Sequence, residues 1–265
     1  MQLSARRTEF MDCPFDAVTM KQAVERAVSW CRGERRPRTV MTVNAAILVM
    51  MRKDRALADA CRAGDLIVPD GVPVVWASRL VGRPLRARVA GVDLMAQLLE
   101  AASQHRLRVF FLGARQEVLQ ELVAVCARRY PGVVVAGVRN GYFDESEHEE
   151  VIEQIRQSGA DMLFVGMPTP FKEVWCQRHR DALSVPVIMG VGGSFDVLAG
   201  FIRRAPLWMQ NLGLEWFWRL SMEPRKMWRR YLVTNSVFTA RTLHETVRQL
   251  SGWRSPSSHL EEAGT

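Results

Sequence analysis

Asp70 follows the apolar run Leu66–Pro69 and precedes Gly71 and a mostly apolar stretch that starts at Val72. A carboxylate at such a junction can take a proton from a substrate hydroxyl. It can equally cap the following helix, because Asp is favoured for accepting the first free N–H groups. The two roles are compatible, although capping bonds lower the pKa and with it the basicity. Thr42-Val43-Asn44 closes a second apolar run. Strand alternation puts Thr42 and Asn44 on one side and turns Val43 into the core. Such a Thr/Asn pair can read a sugar or nucleotide by hydrogen bonds, or cap the next helix. A third chemistry lies near the C-terminus, in Arg203-Arg204-Ala205-Pro206-Leu207-Trp208, Glu215-Trp216-Phe217-Trp218-Arg219 and Glu223-Pro224-Arg225-Lys226-Met227-Trp228-Arg229-Arg230-Tyr231. Arginine forks suit phosphate, and tryptophan suits a boundary between water and lipid. The segment fits a ligand that is anionic at one end and greasy at the other. It also fits a core helix with a solvated basic face.

Groups at strand ends need a sheet to hold them. From Thr39 to Asp196, short β-branched runs alternate with helical-period segments. Strands are predicted at Thr39–Val43, Leu66–Pro69, Arg108–Leu112, Val133–Val138, Met162–Val165 and Val187–Met189. Helices are predicted at Ala45–Arg62, Val72–Leu80, Val92–His105, Gln116–Arg129, Glu145–Ser158 and Phe171–Leu183. This alternation implies an α/β fold, a mainly parallel sheet with helices on both faces. Just past the strand ends stand Asn44, Asp70-Gly71, Gly113, Asn140-Gly141, Gly166 and Gly190-Val191-Gly192-Gly193. Ligands of open α/β sheets bind outside the carboxyl ends of the strands, where helix N-termini attract phosphate. Each glycine alone is adequately explained by a turn; their repetition along one rim points to a site there.

The chain has 265 residues, 48% hydrophobic and 24% charged, which suits one α/β domain with an addition. Its net charge of +8 implies an anionic partner. Five cysteines, Cys13, Cys31, Cys61, Cys126 and Cys176, are scattered without a C-x-x-C, which argues for a reducing compartment and against a structural zinc site. Met1–Cys13 lacks an apolar core of signal-peptide length. No run of about 18 apolar residues occurs, so peripheral attachment is the membrane role left open. The Ser/Pro/Glu-rich end, Ser255–Thr265, has the composition of a disordered tail.

Missing motifs narrow the chemistry. There is no P-loop, and Gly190-Val191-Gly192-Gly193 lacks the final glycine of a dinucleotide fingerprint. No H-E-x-x-H, no G-x-S-x-G and no D-x-D occurs. No metal or cofactor is expected. If a diphosphate leaves during the reaction, protein cations must offset its charge, and the basic C-terminal segment can supply them.

Together these residues resemble the WecG/TagA/CpsF family of bacterial glycosyltransferases. The resemblance is carried by Thr42-Val43-Asn44, Asp70-Gly71, Arg88-Val89-Ala90-Gly91-Val92-Asp93-Leu94, Phe110-Phe111-Leu112-Gly113 and Asn140-Gly141-Tyr142-Phe143. It continues through Val165-Gly166-Met167-Pro168-Thr169-Pro170-Phe171-Lys172-Glu173, Gly190-Val191-Gly192-Gly193-Ser194-Phe195-Asp196, Arg204-Ala205-Pro206 and Glu215-Trp216-Phe217-Trp218-Arg219-Leu220. It spans about Asp16 to Leu232, with the motifs in the family's order. It implies a Rossmann-like core over residues 1–200, a basic, Trp-rich helical appendage over 201–250 that closes the site and reaches the membrane, and a tail over 251–265.

The activity so implied is inverting, metal-independent transfer of a sugar from a UDP-sugar to a polyprenyl-diphosphate-linked sugar in cell-surface polysaccharide or exopolysaccharide assembly. The place is cytoplasmic, on the inner face of the cytoplasmic membrane, with peripheral contact to anionic lipid. Asp70 matches the family's proposed general base, and Thr42 and Asn44 its active-site pair. Gly71, Gly113, Asn140, Gly141, Lys172, Glu173, Gly190 and Gly192 are the donor-binding candidates. Arg219, Lys226 and Arg229 match proposed diphosphate-binding cations, to which Arg204 and Arg225 of the same basic segment are added. One departure touches the donor: many relatives carry Gln-Glu where this chain has Lys172-Glu173. N-acetylmannosamine is then the familiar donor sugar, and glucose fits as well. A homo-oligomer is possible. A non-catalytic sugar-nucleotide-binding protein would share the rim, but Asp70 argues for catalysis. A nucleic-acid-binding protein would share the basic and aromatic residues; the cations follow a complete α/β core, however, and no RNA-binding motif occurs, so no nucleic acid is expected.

Overall fold

Runs that are apolar at nearly every position need burial on both faces, and this chain meets that need with a fully parallel sheet. A computed structural model describes residues 7–222 and 224–251. The expected tail therefore lies, Ser251 apart, outside the described residues, as does the side chain of Lys226. The chain opens with an antiparallel hairpin, β1 (Arg7–Phe10) and β2 (Cys13–Asp16), and then α1 (Met20–Arg32). There follow β3 (Arg38–Val43), α2 (Ala45–Met50), α3 (Arg55–Arg62), β4 (Leu66–Pro69), α4 (Val72–Leu80) and α5 (Gly91–His105). Next come β5 (Arg108–Gly113), α6 (Gln116–Arg129), β6 (Val134–Arg139), α7 (His148–Gln157), β7 (Met162–Gly166), α8 (Phe171–Leu183), β8 (Val187–Gly190) and α9 (Ser194–Leu198). Three further helices end the described chain: α10 (Leu207–Asn211), α11 (Glu215–Met222) and α12 (Pro224–Leu250).

The six strands expected from the sequence form one sheet in the order β4-β3-β8-β7-β5-β6. Every pairing is parallel, so all six carboxyl ends share one rim. Val43 pairs with Pro69, which sets Asn44 and Asp70 side by side where β3 and β4 end. One face packs Val40, Val68, Phe111, Phe164 and Met189 against α1, α5, α6 and α9. The other packs Met41, Val43 and Ile67 against α2, α3 and α4, and Phe110, Leu163 and Ile188 against α7 and α8. Burying a side chain of this size contributes about 1.5–3 kcal/mol, so the two layers hold the rim rigid.

The expected helix Ala45–Arg62 is two helices. Asp54 takes the Leu57 N–H on its side chain and starts α3 afresh, a capping bond that the apolar periodicity does not reveal. The stretch from Glu145 begins as a 3-10 turn, Glu145–Glu147, in which Asp144 and Glu147 form a capping box. The hairpin and α1 were not anticipated. They protect the edge strand β4, where the Asp16 carboxylate accepts the Ile67 N–H at 2.9 Å and pairs with Arg26 at 3.1 Å. On the far side, α12 lies against α2, buries Phe238 in the same cluster, and pairs Arg241 with Asp12 at 3.2 Å.

Candidate active site

A cleft of about 1350 Å³ opens along the strand-end rim. One wall is made of strand ends and the helix starts behind them; the other comes from residues 201–222 and α12. Thr42, Asn44, Asp70, Gly71, Gly141, Lys172 and Gly192 face it from the first wall, and Arg204 and Arg219 from the second.

Asp70 does not cap the helix that follows it. The N-cap of α4 is Gly71, and no side chain bonds there. The Asp70 carboxylate instead accepts the N–H of Gly91, the first residue of α5. Space for it comes from the glycine: a methyl group at Gly91 would lie 3.3 Å from Thr42 Oγ1 and 3.6 Å from Asp70 Oδ2. Thr42 and Asp70 thus meet over one helix start. Burial pushes the Asp70 pKa up, and the nearby charge of Glu215 adds to this. Arg88, the Gly91 N–H and Lys172 pull the other way without cancelling it. A carboxyl with a raised pKa, open to a cleft, is a stronger proton acceptor than a free one. Asn44 does cap α2, accepting the Ile47 N–H on Oδ1 at 3.0 Å.

Lys172 and Glu173 are only 6% and 4% exposed. They pair with each other, and Thr169 joins both: Lys172 Nζ donates to its Oγ1 at 3.1 Å, and its hydroxyl donates to Glu173 Oε1 at 3.0 Å. Gly190 packs against the Lys172 stem, which a methyl group there would meet at 3.2 Å. Glu173 and Gly190 line a small void behind the cleft together with Thr42, and are not on the cleft itself. Gly113 and Asn140 also lie off its lining. A methyl group at Gly113 would stand 2.6 Å from the Gly166 backbone, and Asn140 Oδ1 accepts the Tyr142 N–H at 3.0 Å in the turn after β6.

The cations of the second wall divide by their partners. Arg204 grips Asp93 with both terminal nitrogens, and its Nε lies 3.5 Å from Glu215. Burial works against ionisation of Asp93, but the Arg204 bonds and the charges of Arg204 and Arg88 outweigh it and hold its pKa low. Arg88 donates to Glu215 at 2.7 Å and lies 4.0 Å from Asp93. These four side chains close a ring of alternating charge. Arg219 forms no ion pair among the described residues; it lies against the turn before α9, where a methyl group at Gly193 would come to 2.5 Å from its Nη2. Arg225 and Arg229 are exposed on α12 and away from the cleft lining, Arg229 with its guanidinium 5.2 Å from the Trp228 ring centre. Trp208 and Trp228 are 61% and 48% exposed, whereas Trp216 is half-buried against Phe217 and Tyr231.

Sequence reasoning missed Arg115 and named Arg203 only as part of the basic C-terminal run; both line the cleft without an ion pair among the described residues. Arg115 directly follows Gly113-Ala114 at the end of β5, and that position on the rim was the available signal. It also gave no role to Arg88 and Asp93, whose part depends on a residue more than a hundred positions away. All five thiols are free and buried, and burial pushes Cys31, Cys61, Cys126 and Cys176 to about 12, so none is a nucleophile. Among the described residues no three of His, Cys, Asp and Glu gather, and no helix is long and apolar enough to cross a membrane.

The model of the glycosyl transferase WecG/TagA/CpsF family matches residues 8–252. An N-acetylglucosaminyldiphosphoundecaprenol N-acetyl-beta-D-mannosaminyltransferase of Bacillus subtilis (strain 168) is 37% identical over 193 residues, 73% of this chain and 74% of its own length. The protein of the same name from Staphylococcus aureus (strain MW2) is 33% identical over 224 residues, 84% and 87% of the two chains. With a carboxylate at the rim of a parallel sheet and these relatives along most of its length, the chain belongs to the WecG/TagA/CpsF family and is a glycosyltransferase.

Proposed function

We propose that the protein transfers a sugar, with inversion and without a metal, from a UDP-sugar to a polyprenyl-diphosphate-linked sugar during assembly of a cell-surface polysaccharide. The observation that carries this reading is Asp70: a carboxylate of raised pKa, held by the Gly91 N–H beside Thr42 and open to a large cleft. The names of the relatives support N-acetylmannosamine as the sugar moved and a diphosphoundecaprenol-linked N-acetylglucosamine as its acceptor. Lys172 is the reason to test glucose beside it.

Asp70 accepts the proton of the acceptor hydroxyl as its oxygen attacks the anomeric carbon opposite the departing UDP. A positioned base of this kind contributes about 10²–10⁴-fold. Thr42 orients the attacking group. Arg219, with Arg115 and Arg203, offsets the charge that builds on the diphosphate, the role usually worth most per group. Arg204 serves it less, since Asp93 and Glu215 already neutralise it. Residues 201–250 act as an appendage to a core of residues 1–200, closing the site against water. Their exposed Trp208 and Trp228, with Arg225 and Arg229, meet anionic lipid on the inner face of the cytoplasmic membrane.

The test is a panel of UDP-sugars, including UDP-N-acetylmannosamine and UDP-glucose, offered with short-chain prenyl-diphosphate-N-acetylglucosamine. The expected product carries the inverted anomer and forms equally in EDTA. Asp70→Asn is expected to lose about a hundredfold or more. A folded Asp70→Asn variant with near-normal turnover removes Asp70 from the mechanism.

A further inference from the structure

The ring of Arg88, Glu215, Arg204 and Asp93 has no counterpart elsewhere among the described ion pairs. Its members come from two stretches of the chain, residues 88–93 and 204–215. Arg88 stands in the loop after α4 and Asp93 in the first turn of α5; Arg204 stands in the loop after α9 and Glu215 is the first residue of α11. The contacts run Arg88–Glu215 at 2.7 Å, Glu215–Arg204 at 3.5 Å, Arg204–Asp93 through two nitrogens, and Asp93–Arg88 at 4.0 Å. Each acid sits in the first turn of its helix, where the helix dipole favours a negative charge. Two arginines thus tie the acid at the start of α11 to the acid at the start of α5, the helix whose first N–H holds Asp70.

Two consequences reach the cleft. Glu215 and Arg219 are four residues apart and so share a face of α11. Fixing the first residue of this helix therefore sets where Arg219 meets the turn at Gly193. The second concerns the charges that face Asp70. These are Glu215 from α11, Arg88 from the loop before α5 and Lys172 from α8, with the Gly91 N–H as the uncharged donor. Glu215 engages at 2.7 Å the arginine that would otherwise act on the Asp70 carboxylate with only Asp93, at 4.0 Å, to oppose it.

We propose that Glu215 is a positioning residue: through its pair with Arg88 it latches α11 onto the core, places Arg219 over the cleft and keeps Arg88 from neutralising Asp70. The proposal rests on the reading of Asp70 as the base. It assigns the acid among the aromatics of this segment, which lines the cleft, a task in the reaction that runs through Arg88 and Arg219.

The experiment uses the full chain with Glu215→Gln, Arg219→Ala and the double variant. Without substrate, Glu215→Gln is expected to speed hydrogen exchange of the amides of α11 and leave the strands of the sheet unchanged. With UDP-N-acetylmannosamine and short-chain prenyl-diphosphate-N-acetylglucosamine, or the donor the panel selects, the acid limb of kcat/KM is expected to move down by about one pH unit, since one acid is lost and Arg88 is released. At neutral pH kcat falls about tenfold or more, and the double variant loses little kcat beyond Arg219→Ala, because this part of the effect runs through the Arg219 guanidinium while the part that runs through Arg88 shows in the acid limb. Glu215→Asp restores part of the exchange protection and of the limb. An unmoved acid limb, or unchanged exchange in α11, overturns the proposal. An active Asp70→Asn variant is a separate result and overturns the base instead.

Discussion

The two walls of the cleft are built on different physics. The strand-end wall is closed by backbone against backbone and by buried pairs: Gly113 against Gly166, Gly91 under Thr42 and Asp70, Lys172 against Glu173. The opposite wall is held by part-buried ion pairs and by aromatic contacts such as Trp216 with Tyr231, while Leu207 and Trp208 stay exposed. Buried pairs tolerate no missing partner, whereas exposed ones typically contribute about 0–1 kcal/mol. The difference teaches where each job can be done. On the proposed mechanism, proton transfer, which needs fixed geometry, falls to the first wall, and the charge that must admit and release a substrate falls to the second.

Removing a partner should therefore cost far more on the first wall. Lys172→Met leaves Glu173 as an unpaired buried charge, a defect worth about 3–5 kcal/mol, and a large fall in melting temperature is expected. Lys172→Gln keeps a donor for Glu173 but not its countercharge, and is expected to lose less than Lys172→Met. If both variants melt like the parent, the pair is not what supports this wall. Gly113→Ala comes next. Its φ of +119° suits glycine, and the added methyl would stand 2.6 Å from the Gly166 backbone. Strained backbone costs about 1–3 kcal/mol and overpacking about the same again. Gly200, at φ +83° with nothing within 4 Å, is the control, and Gly200→Ala should cost about 1–2 kcal/mol from backbone alone. Equal losses at the two glycines would mean that close packing is not what sets the rim. For the yielding wall, removing the core partner of Arg204 by Asp93→Asn should shift the melting temperature by only about 2–4 °C, the equivalent of about 1 kcal/mol. A collapse of the fold in that variant would erase the contrast between the walls.

The same contrast decides what could be read from the sequence. β-branched runs and glycines at their ends are local signals, so the six strands, their common rim and Asp70 were all legible. The break at Asp54 was not, because a cap competes with a helical pattern through a single side chain. Nor was the identity of Asp70's partner: Asp-Gly before an apolar run reads as a cap for α4, and only the packing of α5 hands the carboxylate to Gly91. The cations were legible as a group and not as individuals. Composition marks Arg204, Arg219 and Arg229 alike, yet one is held by Asp93, one faces the cleft unpaired among the described residues, and one lies beside Trp228. Long-range pairing leaves no periodicity to find.

Asp70 carries a small predicted change in stability, and its sign is the informative part. Its folded pKa is raised, above all by burial and then by Glu215. The folded state therefore holds its proton more tightly than the unfolded chain, in which an Asp titrates near about 3.9. Below that value both states are protonated and the carboxyl costs nothing. As pH rises from there through the folded pKa, the unfolded chain ionises first and stability falls; above it the cost is fully present. Asn keeps an oxygen for the Gly91 N–H and carries no charge to bury. Asp70→Asn should therefore melt higher than the parent at pH 8, and the gap should narrow as the pH is lowered through the folded pKa and close near the unfolded value of about 3.9. Transfer is lost in the same variant, so a stabilised and inactive protein is the combined expectation, as where a site holds a charge for function at the expense of the fold. Thermal melts of both proteins across this range provide the measurement. An Asn variant that melts lower than the parent at pH 8 would show that the ionised carboxylate is held by its neighbours more strongly than burial opposes it, and Asp70 would then be too well stabilised to serve as a strong base.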